Sequence, residues 1–398
     1  MSNKAQLILM IVLIIALAGM LVLVEDLTDS NSHTSVEAAT QAPTDSVLET
    51  VAKLSTEEPV ELPAVTVPET SVEDATEVPA AHPTQAPSDV PPDILTVNRD
   101  PLTGVLLDTP ATGRIFAFPI NNEEASLPHV GTHEAGILFE MYVNGYFTRC
   151  LALYSDITQI ETIGPIRSVR KNITDICVAF DAFLCHANGS AEVMQDLEES
   201  GVDHIWLSTD EEMAYWDIAR RKKGYGQDSR LFARGGDTHQ YLVRNNMRVL
   251  SAEPNQSYGL NFVEDGTPAD GENAGKIDIL FRIQNTSKLS TMTYDAKLGQ
   301  YVYTQYGRDG KKDDPEKFEN VFVMFAEVTT EGIYHVANLE GSGDGYYACN
   351  GKIVPIQWHH QNPADPITFT HIDGTPLEQG IGKSYIAIVP MASSVVWE

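Results

Sequence analysis

The alternation of apolar and polar positions divides this 398-residue chain into four stretches. Leu7 to Val24 is an unbroken apolar run of about 18 residues, long enough to cross a bilayer as a helix. Lys4 precedes it and Glu25, Asp26 and Asp29 follow, which predicts a cytoplasmic amino terminus and an extracytoplasmic remainder. Ala16-Leu17-Ala18 has the spacing of a signal-peptidase site. Met20 to Val24 carry the run past it, so residues 1–25 read as an uncleaved single-pass anchor. Residues 26–94 show no period at all. They are rich in Ser, Thr, Pro and Glu, nearly devoid of aromatics, and expected to form a disordered acidic stalk.

Folded patterning begins near residue 95. Ile115 to Ile120 reads as a strand, and Ile137–Tyr142 and Phe147–Tyr154 flank Asn144-Gly145, a hairpin signal because both turn residues tolerate positive φ. Ile166, Val169, Ile173, Ile176, Cys177 and Phe180 recur on one helical face and predict a helix over 166–180. A buried strand at Ala182–Cys185 follows, then a helix through Leu197 with Ser190 as its N-cap. Overlapping capping boxes at Ser208–Glu212 predict a helix to about Arg221. The basic loop 222–236 leads to another helix, capped by Asp237 and running to about Met247.

A polar, Gly-rich stretch at 252–275 marks a boundary. Beyond it short runs such as Ile277–Ile283, Val321–Val328, Lys352–Trp358 and Tyr385–Val389 read as β, with Asn350-Gly351 and Asp373-Gly374 as turns. Gly341 to Gly345 reads as a flexible turn, and His359 and His360 as solvent-facing. The expected fold is therefore α+β: an α/β domain with a mixed sheet over 95–255, then a mainly β domain over 276–398.

Charge changes the picture in one respect. The net charge of −30 argues against nucleic acid as a partner, and 15 acidic residues between Glu25 and Asp93 face only Lys53. Basic residues concentrate instead between Arg167 and Arg234. Cys150, Cys177, Cys185 and Cys349 occupy apolar positions without a C-x-x-C pair, which favours buried free thiols over disulfides.

Candidate chemistry centres on Gly164–Ser190. Arg167, Arg170 and Lys171 crowd the start of the predicted helix, where a helix dipole disfavours cations unless an anion is present. Arg170, at the edge of the apolar arc, needs either an anionic ligand or a carboxylate such as Asp175, Glu140 or Asp181. His186, Asn188 and Ser190 follow a strand, where open α/β sheets bind ligands, although Asn188-Gly189 also suits a plain turn and Ser190 a plain cap. His129, His133 and Glu134 sit among Pro128 and Gly131 without a third spaced ligand, so no metal site is expected. Neither a G-x-S-x-G elbow nor a P-loop occurs, and no cofactor is implied.

These residues resemble the YerB-like lipoprotein family of Gram-positive bacteria, a two-domain family of unknown function. The resemblance spans about residues 98–390. It rests on Asp100-Pro101-Leu102-Thr103-Gly104, Ile120-Asn121-Asn122, Glu140, Gly145 to Arg149, Gly164 to Arg170 and His186 to Ser190, and in the β half on Gly341-Ser342-Gly343, Asn350-Gly351-Lys352 with Trp358, and Gly374 to Pro390. Gly19-Met20 stands where a lipobox cysteine is expected, so a transmembrane anchor replaces lipidation. Thr238-His239-Gln240-Tyr241-Leu242 keeps only the histidine of the family's Pro-His-Asn-Leu-Tyr. The resemblance implies a surface location and two domains, and no established activity.

Two functions fit. One is non-catalytic binding of an anionic cell-envelope polymer or a protein partner by Arg167, Arg170, Lys171, His186, Asn188, Ser190 and His239. The other is a hydrolase or transferase acting on a phosphorylated envelope intermediate, which requires His186 and His239 to meet in space.

Overall fold

The computed structural model describes residues 98–306 and 316–398, so the apolar run at 7–24 and the stalk lie outside the described residues. Among those described, no helix is long and apolar enough to cross a membrane. The strand Phe116–Asn121 (β1) pairs antiparallel with Phe147–Tyr154 (β3), which pairs with Ile137–Asn144 (β2) across the expected Asn144-Gly145 hairpin. Two parallel strands, Phe183–His186 (β4) and His204–Trp206 (β5), extend this sheet beyond β1.

On the other side of β2 lies Ser384–Pro390, parallel both to β2 and to Asn320–Ala326. The hairpin Gly341–Cys349 and Lys352–His360 and the strand Thr368–His371 carry the sheet to its far edge. Segments from both halves of the chain therefore share one mixed sheet, of thirteen strands among the described residues. A second, antiparallel sheet contains Lys276–Ile283, Thr286–Asp295, Gln300–Gln305, Lys317–Phe318 and Ser394–Trp397.

Period-two alternation assigns each face of the large sheet to one layer. Ile137, Phe139 and Met141 turn toward the helices Lys171–Ala179 and Ala191–Ser200, sharing a core with Ile173, Ile176, Cys177 and Leu197. Leu138 and Tyr142 turn the other way and pack with Ile277, Ile279, Phe281, Met292 and Tyr301 of the second sheet. The fold is α+β, with a mixed sheet and a mostly β carboxyl-terminal region. All four cysteines are buried and free.

Several local expectations are corrected. The helix of 166–180 begins only at Lys171. Before it, the backbone is claimed by neighbours on both sides: Ile166 N–H donates to Leu231 O at 2.7 Å and Arg167 N–H to Pro119 O at 2.7 Å. The helix expected over 208–221 is a 3-10 turn at Leu207–Thr209, a strand at Ala214–Trp216 and a short helix at Ile218–Lys222. There Tyr215 stacks on Phe232 across the pairing with Leu231–Ala233, and Asp210 serves a turn by accepting from Glu212 N–H at 2.8 Å. The helix expected from Asp237 starts at Gly235 and ends at Arg244. His360 is buried, held to Leu339 O at 2.7 Å.

Gly341 to Gly345 belongs to a strand rather than a flexible turn. Gly343 and Gly345 serve close approach: a Cβ at Gly343 would stand 2.6 Å from Trp358 Nε1 and 2.8 Å from Phe325 O, crowding the hydrogen bond that Trp358 donates to Phe325. Gly343→Ala is expected to cost about 1–3 kcal/mol in denaturant unfolding, whereas exposed Ser342→Ala stays within about 0.5 kcal/mol. Equal midpoints for the two variants would contradict the close-approach argument.

Candidate functional site

β1 and β4 run parallel, and the stretch 166–169 passes across their carboxyl ends. Arg167 N–H donates to Pro119 O of β1, Ala187 N–H to Arg167 O at 3.0 Å, and Val169 N–H to Asn188 O at 2.7 Å. Gly164 lets the stretch in, since a Cβ there would meet the Phe232 ring at 2.7 Å. Three arginines converge at this edge: Arg167 and Arg170 from the crossing stretch, and Arg149 from β3, opposite Asn121 of β1.

Arg149 is 2% exposed. Its Nη1 donates to Ser168 O at 2.7 Å, its Nε has no partner, and it forms no ion pair with a carboxylate among the described residues. Burial holds its pKa well below the usual guanidinium range, and the charges of Arg170 and Arg167 push the same way. Arg167 reaches Asp228 at 2.9 Å and Glu123 at 3.4 Å, leaving its own Nε unpartnered.

Arg170 lies over the Tyr334 ring at 5.2 Å and donates from Nη1 to Val169 O at 2.7 Å. It too has an unpartnered Nε, and burial lowers its pKa. None of the three carboxylates expected as its internal partner pairs with it. Asp175 binds Lys171, Asp181 binds Arg114 and Arg248, and Glu140 binds Lys288.

The remaining sequence candidates divide. His186 is fully buried. Its Nδ1 donates to Asn188 O at 3.1 Å, so its Nε2 accepts from His204 Nδ1 at 3.1 Å, and His204 Nε2 lies 3.2 Å from Glu198. Asn188 fixes the arginine stretch through its backbone carbonyl, while its side chain accepts from Gly189 N–H. Ser190 caps the following helix by accepting from Val193 N–H at 3.4 Å. Lys171 lies outside the cluster, engaged by Asp196 at 3.0 Å and Asp175 at 3.5 Å.

His239 is not brought to the site. It meets the Phe116 ring edge-on at 5.9 Å, on the face where Phe116 and Phe183 belong to the second-sheet core. His186 lies three residues along β4 from Phe183 and so points to the opposite face, beside Trp206 and His204. The two histidines thus occupy opposite faces and opposite ends of β4. His129 bonds Asn121 O at 3.0 Å and Glu316 at 3.3 Å.

A second polar centre lies inside the protein. Glu140 is wholly buried on β2, facing the second sheet. Its Oε1 accepts from Lys288 Nζ at 2.6 Å, Thr148 Oγ1 at 2.6 Å and Asn122 Nδ2 at 3.0 Å. Its Oε2 accepts from Tyr385 OH at 2.7 Å, Tyr303 OH at 2.8 Å and Ser290 Oγ at 2.9 Å. Burial alone would raise the Glu140 pKa, but the Lys288 charge and the hydrogen bonds outweigh it and hold the group ionised below its ordinary value. Arg149 and Lys288 were not among the sequence candidates. The available signal was a cation inside an otherwise strand-like run, Phe147–Tyr154 and Thr286–Asp295 respectively.

The family described as "Protein of unknown function (DUF3048) N-terminal domain" matches residues 102–240, and its C-terminal domain matches residues 278–386. The arginine cluster falls in the first segment, and Lys288, Tyr303 and Tyr385 fall in the second. A curated relative, "Putative lipoprotein YerB" from Bacillus subtilis (strain 168), is 24% identical over 312 residues, covering 76% of this chain and 89% of the relative. The crystal structure of YerB protein from Bacillus subtilis superposes with a TM-score of 0.63 at 23% identity, covering 75% of this chain and 99% of that one, a likeness of fold.

His186 makes the stability of this edge depend on pH. Burial depresses its pKa from 6.5 to about 4, so below pH 6.5 the unfolded chain takes up a proton that the folded one refuses. The associated stability is full above pH 6.5 and is lost as pH falls toward about 4, on the order of 3 kcal/mol in all. Thermal unfolding followed across that window is expected to steepen in the wild type and flatten in His186→Gln; identical profiles would contradict the assignment.

Proposed function

This chain belongs to the DUF3048 family, both of whose domains it carries, and from that footing we propose an extracytoplasmic, membrane-anchored protein that binds an anionic cell-envelope component at Arg149, Arg167 and Arg170. The observation that carries the reading is Arg149, a buried guanidinium that forms no ion pair among the described residues and has two further arginines beside it. A buried charge is costly unless paired, and a phosphate or carboxylate seated among the three would supply the missing partner through charge-assisted hydrogen bonds. Its place at the carboxyl ends of parallel β1 and β4 is where open sheets of this kind receive ligands.

The surroundings favour holding over bond cleavage. Both ring nitrogens of His186 are engaged, and His239 lies on the far face, so these two histidines do not form a paired acid and base beside the arginines. The location rests on Leu7–Val24, with Lys4 before it and carboxylates after it, and on the lipoprotein name of the Bacillus subtilis relative.

Titration calorimetry with pyrophosphate and with a polyglycerol phosphate chain tests the reading. Wild type is expected to bind, Arg149→Met and Arg167→Ala to weaken affinity roughly tenfold or more, and Lys171→Ala to leave it unchanged. Unaltered affinity in both arginine variants, or no binding by the wild type, would overturn it.

A further inference from the structure

The Glu140 centre holds three groups whose joint chemistry the arginine edge does not use. Lys288 Nζ and Asn122 Nδ2 donate to the same atom, Glu140 Oε1, at 2.6 and 3.0 Å. Asn122 and Glu140 are 0% exposed and Lys288 3%. The rings of Tyr303, Tyr306 and Phe281 surround Nζ, with centroids at 5.4, 5.4 and 5.7 Å, and close the site to water. Asn122 Oδ1 has no hydrogen-bond partner among the described residues, so its carbonyl is not committed to any of them, while Thr148 Oγ1 accepts from Nδ2 at 2.9 Å and fixes the amide plane. A primary amine, a carboxamide and a carboxylate held together in a dry core are the nucleophile, the electrophile and the proton carrier of an amide exchange.

We propose that Lys288 and Asn122 become joined by an intramolecular isopeptide bond, with Glu140 as the proton carrier. Glu140 takes a proton from the Lys288 ammonium along their hydrogen bond, leaving a neutral amine and a neutral acid. The Nζ lone pair adds to Asn122 Cγ, forming the new C–N bond. Glu140 delivers its proton to Nδ2 and accepts one from Nζ; the Cγ–Nδ2 bond breaks, and nitrogen departs as ammonia. The products are a secondary amide, ammonia and a protonated Glu140, so atoms and charge balance without an oxidant, cofactor or energy source.

The exchange also removes charge from the core. A buried ammonium–carboxylate pair, expensive to desolvate, gives way to a neutral acid beside a neutral amide. The bond would link Asn122, the residue after β1 of the large sheet, to the strand Thr286–Asp295 of the second sheet. No disulfide makes such a link, since all four cysteines are free.

Mass spectrometry of the purified wild-type protein decides the matter. The expected result is a chain lighter by one ammonia than its sequence mass and, after trypsin, a branched peptide joining the segments that contain Asn122 and Lys288. Lys288→Met, Asn122→Ala and Glu140→Gln are each expected to restore the unbranched mass. Wild-type protein that yields separate, unmodified peptides carrying Lys288 and Asn122 would overturn the proposal and leave an ion pair only. The wild-type measurement stands whether or not any variant folds.

Discussion

The structure depends on the solvation of one carboxylate. Glu140 lies where no water reaches, and every donor that stabilises its charge is another side chain. Asn122 and Thr148 come from the first family segment, whereas Lys288, Ser290, Tyr303 and Tyr385 come from the second. A buried ion stripped of its partners costs several kcal/mol, so neither segment can bury this residue alone without a heavy penalty. Folding of the first segment and docking of the second sheet are therefore coupled by electrostatics as well as by shape. The alternation of β2 makes the coupling possible: Leu138 and Tyr142 seat Glu140 among apolar neighbours on the face that the second sheet covers.

The arginine edge is the opposite case. Arg149 is buried as deeply as the partners of Glu140, yet the charges of Arg170 and Arg167 oppose its own more than those of Glu123 and Asp228 favour it. Among the described residues, of the three guanidiniums only Arg167 has carboxylate partners, and one of these, Asp228, is largely solvent-exposed. The protein satisfies its internal anion completely and leaves an internal cation incompletely satisfied. Backbone hydrogen bonds to β1, to Ala187 and Asn188 just after β4, and to Leu231 hold that arrangement in place despite the repulsion.

Much of this architecture was legible from local pattern. The Asn144-Gly145 and Asn350-Gly351 turns, the apolar runs of β1 to β4 and the free buried cysteines all depend on near neighbours, so periodicity and turn chemistry identify them. The misreadings share a cause. Ile166 and Val169 fit a helix by spacing, but partners supplied by Pro119 and Leu231 make the stretch extended. Ser208 with Glu211 and Thr209 with Glu212 fit capping boxes, but Tyr215, stacked on Phe232, belongs to a strand paired with Leu231–Ala233. Arg149 and Lys288 escaped notice because burial is a property of the assembled sheets. Lys288 and Glu140 meet across a separation of 148 residues, and nothing near Lys288 in the chain announces a carboxylate.

The strand Ser384–Pro390 lies between β2 and Asn320–Ala326, with every residue buried. It comes later in the chain than both strands it joins, yet it occupies the middle of the sheet and supplies Tyr385 to Glu140. A chain emerging from its amino end cannot close its sheet until this late strand has been delivered. Before then both flanking strands present open edges, each a template for the wrong partner. Closure of the large sheet is thus timed by a segment that follows both strands it joins, and those two edges must avoid other partners until it arrives.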